Sequence, residues 1–393
     1  MELMQLIEDW QGYVAAGDIP KPEGYEQRLM ETINLLSNAS GLPSHRHEYL
    51  LREAMTTSDF PNLFGDVLDR QVLANYKAVD PVWKAICRQS TVPRISPQVG
   101  GYRFAITGGD QVLARVGEKG EYLASSRDEA RYPISVDKYG RQFDISWETL
   151  INDDLGALKD TPERFARAAV RTEHRLATVQ YAYNDTGGGL GNVVHAVGGP
   201  LYSMTAPEIN MVNTLLSIAA LETGVETMGA FVDAAGEPIM NRAKYLVVPP
   251  ALEMTARQIL TSTNKMWTAA AGAAIAYPTN NVIAQYGLTL IVDPYAPLCS
   301  QINRPATPNS ANTQWYLFAD PRDIAAFETA HLAGHERPEI CMKASDKVSV
   351  GGGAIGPMSG DFATDNVFYR VRLVFGAAPL DWRATYAGGL TNT

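Results

Sequence analysis

One stretch constrains the fold more than any other: a long amphipathic helix signature that opens at Thr161 and stops at the glycines of NDTGGGLG. Thr161 is a good cap, Pro162 fits a first helical position and Glu163 suits the positive helix end. Phe165, Ala168, Ala169, Thr172, Leu176, Val179 and Tyr183 then recur at spacings of three and four. Roughly 22 residues at 1.5 Å each give about 33 Å, and a helix that long with one apolar stripe serves as the backbone of an extended molecule.

Around it the pattern is short strands. Val112–Gly117 reads as a strand, Tyr132, Ile134 and Val136 share one side of a second, and Phe143, Ile145 and Trp147 share one side of a third, with KYGR (Lys138–Arg141) as the turn between the last two. The intervening tract GEKGEYLASSRDEAR offers too little apolar surface to offset its ordering entropy. It is therefore expected either to move freely or to lie on a neighbouring subunit. Further on, Met204–Leu221 reads as a helix started by Thr-Ala-Pro-Glu, KYLVV (Lys244–Val248) as a buried strand broken by Pro249 and Pro250, and Ala251–Leu260 as a helix. Strands follow at Leu288–Val292 and Trp315–Phe318, the latter leading past Pro321 into a helix that ends at Thr329. The last strand, Val367–Phe375, puts Val367, Tyr369, Val371, Leu373 and Phe375 on one face and Arg370 and Arg372 on the other. With 33 Gly and 23 Pro, turns and irregular crossings are favoured over a helical bundle.

The 393 residues are 46% apolar and 19% charged, a globular balance. A formal charge of -10 gives no uniformly basic face for wrapping nucleic acid, although one surface can still be locally basic. The three cysteines, Cys87, Cys299 and Cys341, are too scattered for a thiolate site and read as small buried hydrophobes in a reduced chain. No stretch reaches the roughly 20 apolar residues that span a bilayer, and MELMQLIEDW is no signal peptide, so a cytoplasmic origin is expected. Residues 1–50 read as two short helices around GDIPKPEG. Residues 1–31 carry seven acidic and two basic side chains, as a solvated appendage or an assembly segment.

Catalytic or metal chemistry has little to stand on. His331 and His335 lie four apart on an expected helix end, but the glutamate of H-E-x-x-H is missing, and His45 with His47 is only an H-x-H pair. Asn152, Asp153 and Asp154 suit a turn. Gly187–Gly191 and Gly351–Gly356 lack the G-K-[ST] ending of a phosphate loop, and His174 reads as a polar-face or interface histidine. No catalytic residue, cofactor or metal ligand is expected. The candidates that remain are inter-subunit contacts: Arg115, Glu118, Lys119, Glu121, Arg127 and Arg131 on the excursion, and Arg167, Arg171 and Arg175 on the long helix. An unrelieved row of arginines four apart is mildly destabilising, with Glu163 and Glu173 as partial relief. An ordinary solvated face and a contact with an acidic neighbouring subunit both fit it.

Three strings go further. TTSDFPNLFGDVLDRQVLANY (Thr56–Tyr76), KYGRQFDISWETLINDDLGAL (Lys138–Leu158) and KYLVVPPALEMTARQIL (Lys244–Leu260) resemble the Mu-type major head subunits and the capsid portions of protease-capsid fusions, that is, major capsid proteins of tailed bacteriophages (Caudoviricetes). The resemblance spans about residues 56–380. It implies an α+β fold of the Hong Kong 97 type, with a helical extension over 1–55, an N-arm over 56–99 and an E-loop over 100–145. A P-domain over 146–203 would contain a spine helix over 160–184, followed by an A-domain over 204–339 and a return to the P-domain over 340–393. The implied function is self-assembly, as pentamers and hexamers, into an icosahedral shell enclosing double-stranded DNA held by weak non-specific contact. Portal, scaffold or protease, and a decoration protein, are the implied further partners, with no membrane and with assembly in the host cytoplasm. Some relatives cross-link a lysine to an asparagine, for which Lys119 and Asn366 are present without a motif to tie them. An encapsulin-like nanocompartment and a phage tail or connector protein are the alternative structural readings.

Overall fold

The computed structural model describes residues 76, 81–95, 102–106, 115–116, 129–146, 155–182, 190–194, 199–204, 209–233, 236–268, 276–301, 312–343, 345–347 and 361–389. The chain divides into two units, each assembled from separated segments. The first draws on Lys138–Arg171 and Gly334–Val374, besides Met1–Asp80, and the second on Pro81–Asp137, Thr172–Ala333 and Phe375–Thr393.

In chain order, a 3-10 turn at Val82–Ala85 leads into β1 (Arg88–Val92), then β2 (Tyr102–Ile106), β3 (Glu129–Pro133), β4 (Asp137–Ile145) and the long helix α1 (Leu155–Ala182). β5 (Leu190–Val194) and β6 (Gly199–Tyr202) pair antiparallel and precede α2 (Ile218–Gly229). There follow β7 (Ala243–Val248), α3 (Glu253–Thr261), the hairpin of β8 (Asn264–Thr268) and β9 (Ala276–Asn280), α4 (Val282–Tyr286), β10 (Thr289–Val292) and α5 (Ala296–Gln301). β11 (Trp315–Ala319), β12 (Phe327–Leu332), β13 (Glu339–Met342), β14 (Val367–Pro379) and β15 (Thr385–Gly388) complete the order, a mixed α+β chain.

The core of the second unit is the sheet β10-β7-β11-β15. β7 and β10 run parallel, as the intervening helices allow, and β11 is antiparallel to β7 and β15. A strand covered on both faces reads as a continuous apolar run, and Trp315, Tyr316, Leu317 and Phe318 of β11 are all fully buried. β15 would leave a row of unpaired backbone groups, but the segment at 210–212 covers it: Val212 N donates to Ala387 O and Ala387 N to Asn210 O, each at 2.9 Å. Asn210, fully buried, fastens that segment by donating from Nδ2 to Leu201 O (2.9 Å) and Trp382 O (3.0 Å) while Oδ1 accepts from Ser203 N. In the same unit β1 lies parallel to β12, which pairs antiparallel with Phe375–Pro379 of β14. In the first unit β13 and β4 pair with the earlier half of β14, and the Phe143 ring packs 4.9 Å from Phe165 and 5.2 Å from Tyr369.

Several sequence expectations hold in place: β7, β10, β11 and the alternation of β14 lie where the strand patterns put them, and Cys87 and Cys299 are buried. Others are corrected. KYGR is no turn but the middle of the continuous strand β4. Gly140 is needed there because a Cβ would stand 2.6 Å from Val371 O. α1 starts at Leu155, so Pro162 sits inside the helix, where its missing N–H leaves the Leu158 carbonyl without the usual intrahelical donor. Residues 209–216 are not helical, 210–212 being bonded to β15, and α2 begins only after Ser217, whose Oγ accepts from Ala220 N at 3.2 Å. The expected helix ending at Thr329 is strand β12, because its backbone completes the ladder with β1 and β14. Residues 115–116 carry no strand, and the rest of that expected strand, the helices over 1–50 and 56–75, Tyr183, Trp147, Asn152–Asp154 and most of both glycine tracts lie outside the described residues.

Gly376 marks the tightest approach: a Cβ there would collide with the Ser135 carbonyl oxygen. Gly376→Ala is expected to lower the unfolding free energy by about 3 kcal/mol, read from denaturant midpoints, because backbone has to shift to make room.

Candidate assembly surfaces and a buried carboxylate

Between Arg164 and Arg175 the exposed residues of α1 are Arg164, Arg167, Ala168, Arg171 and Arg175. That face therefore presents four guanidinium groups and no carboxylate. Glu173, expected beside the arginines, is completely buried instead. The buried side is Ala166, Ala169, Val170, Glu173, His174, Ala177, Thr178 and Tyr181, one position on from the stripe the sequence suggests, and Ala168 is exposed. Of the excursion candidates, Arg115 is exposed and Arg131 lies in β3 opposite Phe104, whereas Glu118, Lys119, Glu121 and Arg127 lie outside the described residues.

What rotates the helix is a polar cluster in the second unit that apolar periodicity misses. Asp293, 2% exposed, follows β10, and its Oδ2 accepts from Thr178 Oγ1 at 2.7 Å and from the Tyr181 hydroxyl. His174 Nε2 lies 3.0 Å from Oδ1, which also accepts from Tyr295 N at 2.8 Å. His174, Thr178 and Tyr181 are spaced by four and three, so one side of the helix delivers all three groups. Burial pushes the Asp293 carboxyl up, yet His174, Tyr181 and Thr178 outweigh it and hold it below the ordinary carboxylate range. His174 is thus a buried partner of a carboxylate, not a polar-face residue. Nearby Cys299 is pushed up to about 12 by burial and by the Asp293 charge, which keeps it a thiol at neutral pH.

The histidine pair also separates. His331 lies within β12 with its ring 5.1 Å from Phe375, and Gly334, at φ +83°, turns the chain before His335, which pairs with Glu339. These residues are not one helical face. Among the described residues no group of three or more His, Cys, Asp or Glu side chains is placed to hold a metal ion. The second unit also carries a cleft of about 1470 Å³ whose lining includes Lys84, Arg88, Lys244, Asp320, Arg322 and Asp323. Its charges come from distant segments, so no local motif signals it.

Residues 130–388, from β3 to the end of β15, match the model of a family described as phage capsid protein. The chain belongs to the phage capsid protein family. It is a structural component of a phage capsid, with an α+β fold. The match includes two of the three strings that carried the resemblance and leaves Thr56–Tyr76 outside. No curated protein matches this capsid protein's sequence. Among solved structures, one of Gordonia phage Cozz is 14% identical and aligns over 80% of this chain and 87% of that one, with a TM-score of 0.45. The capsid structure of the cyanophage P-SCSP1u is 11% identical over 80% and 89% at 0.38, and the SrpI encapsulin complex of Synechococcus elongatus is 11% identical over 80% and 89% at 0.41.

Because its folded value is depressed, the Asp293 carboxylate adds stability that is full above the ordinary carboxylate range and lost as pH falls through it toward the folded value. Asp293→Asn is expected to cost the capsid protein about 3 kcal/mol at pH 7 and to flatten the acid side of its stability profile, measured by urea unfolding between about pH 3 and 7. Equal slopes in both proteins would contradict the assignment.

Proposed function

We propose that this chain is the major head subunit of a tailed phage, closing as pentamers and hexamers into an icosahedral shell around double-stranded DNA in the cytoplasm of the bacterial host, and that it is not an enzyme. The family match over residues 130–388 carries this reading. In it, β2 and β3 belong to the E-loop, α1 is the spine helix of the P-domain, residues 204–339 form the A-domain and β14 belongs to the return to the P-domain. A portal, a scaffold or protease and a decoration protein are the further partners this role calls for. Weak contact with packaged DNA is compatible with a net charge of -10, since a container does not need a tight grip on what it must release.

The inter-subunit contacts assigned here are the arginine face (Arg167, Arg171 and Arg175) and the excursion (Arg115, Glu118, Lys119, Glu121, Arg127 and Arg131). A face of arginines and one alanine suits an acidic surface on the neighbouring subunit, because opposite charge across an interface steers the encounter and fixes its register.

Electron microscopy of the purified protein after assembly is expected to reveal closed shells with fivefold and sixfold rings. Persistent monomers, rings or tubes would overturn the reading, and shells from infected cells filled with protein cargo instead of DNA would move it to a nanocompartment. Arg167→Glu with Arg171→Glu is expected to raise the concentration for half-assembly about tenfold while leaving the monomer's thermal midpoint in place.

A further inference from the structure

In the first unit, residues 343, 345–347 and 361–366 form a loop system held by several ion pairs and hydrogen bonds. Lys343 Nζ lies 2.9 Å from Asp361 Oδ1 and 3.5 Å from Asp346 Oδ2, and Lys347 pairs with Asp365. Asp346 Oδ1 accepts from Phe362 N at 2.8 Å, Asp361 N donates to Asn366 O at 2.9 Å, and Asp365 N donates to Asp361 O at 3.0 Å. Asn366 Nδ2 in turn donates to Asp144 Oδ2 at 3.0 Å, tying the loop to β4. Asp365 adopts φ +55°, a left-handed turn conformation that aspartate accepts more readily than most residues.

Among the described residues of this loop, the bracing presents one large apolar side chain. Phe362 is 80% exposed, while every charged neighbour in the loop is turned to a partner within it. A phenyl ring held in water on a pre-ordered loop has already lost the backbone freedom that binding would otherwise remove. Rigid exposed aromatics of this kind are the side chains that dominate interface energetics.

We propose that Phe362 is a preformed anchor that seats in an apolar recess of a second copy of this chain when the shell closes. The assignment rests on the shell reading above, since shell membership supplies a second copy beside every subunit. Packaged DNA fits less well, because the three carboxylates of the loop (Asp346, Asp361 and Asp365) outnumber its two lysines (Lys343 and Lys347), each of which is already paired with them. The braces fix the direction of the ring, and the ring supplies the desolvated contact.

The test compares wild type, Phe362→Ala, Phe362→Leu and Asp346→Ala by light scattering against concentration, with electron microscopy of the products and thermal unfolding of the monomers. Phe362→Ala is expected to raise the half-assembly concentration about tenfold with an unchanged monomer midpoint, as the side chain buries little within its own chain. Phe362→Leu should recover most of the loss. Asp346→Ala, which frees the loop but keeps the ring, should raise the concentration about threefold. Phe362→Ala shells forming at the wild-type concentration would overturn the anchor while leaving the shell reading intact, even if a separately added decoration protein then failed to bind them. Failure of wild type to form any shell would overturn both.

Discussion

A carboxylate taken out of water has to be surrounded by donors, and that requirement at Asp293 sets the rotation of the longest element in the chain. His174, Thr178 and Tyr181 all turn toward it, so the side of α1 carrying them is buried. A helix has only one rotation about its axis. Once those three positions face inward, Arg164, Arg167, Ala168, Arg171 and Arg175 are left facing solvent, and Glu173 is carried inward with the cluster. The surface proposed to meet another subunit is thus the geometric complement of a buried polar interaction, not an independent feature.

Glycine works in this fold chiefly by absence of bulk. Gly140 and Gly376 sit where backbone crosses backbone, at Val371 and Ser135, and Gly388 lets the Trp315 indole lie on β15 where a methyl group would strike it. Each position joins β14 or β15 to a neighbour, so the late strands are fitted into place by what their glycines, or those of their partners, lack. The same residue type serves in turns as well, at Gly287 and Gly334, where φ is +83°. Sequence alone does not separate the two uses.

That ambiguity explains much of what the sequence disclosed and what it hid. KYLVV, WYLF and the alternation of residues 367–375 were legible because an apolar run or a strict period of two has few other readings. KYGR looked like a turn because a glycine among charged residues is the commonest turn signal, while its actual cause, the Val371 carbonyl, lies more than 200 residues away. The helix expected at 209–216 gave way to a tertiary fact of the same sort, the backbone hydrogen bonds of Asn210 and Val212 with Ala387 of β15. For the candidate surfaces, the spacing of the arginines was readable and their exposure was borne out, but polar His174 and Thr178 could not be assigned inward without knowing where Asp293 lay. Phe362 carried no signal at all, since nothing local distinguishes an exposed phenylalanine from a buried one.

The division of the chain into two units has a consequence for how it is made. The polypeptide passes back and forth between them, and both α1 and β14 cross the division. Neither unit is a continuous fragment, so neither is complete until the ribosome has passed the last strands. β11, with its fully apolar WYLF, emerges well before β15, its antiparallel partner on one side. For that interval a bare hydrophobic edge is open to any neighbouring chain. The interval between residue 319 and residue 388 is therefore the stretch of synthesis in which productive folding competes most directly with aggregation.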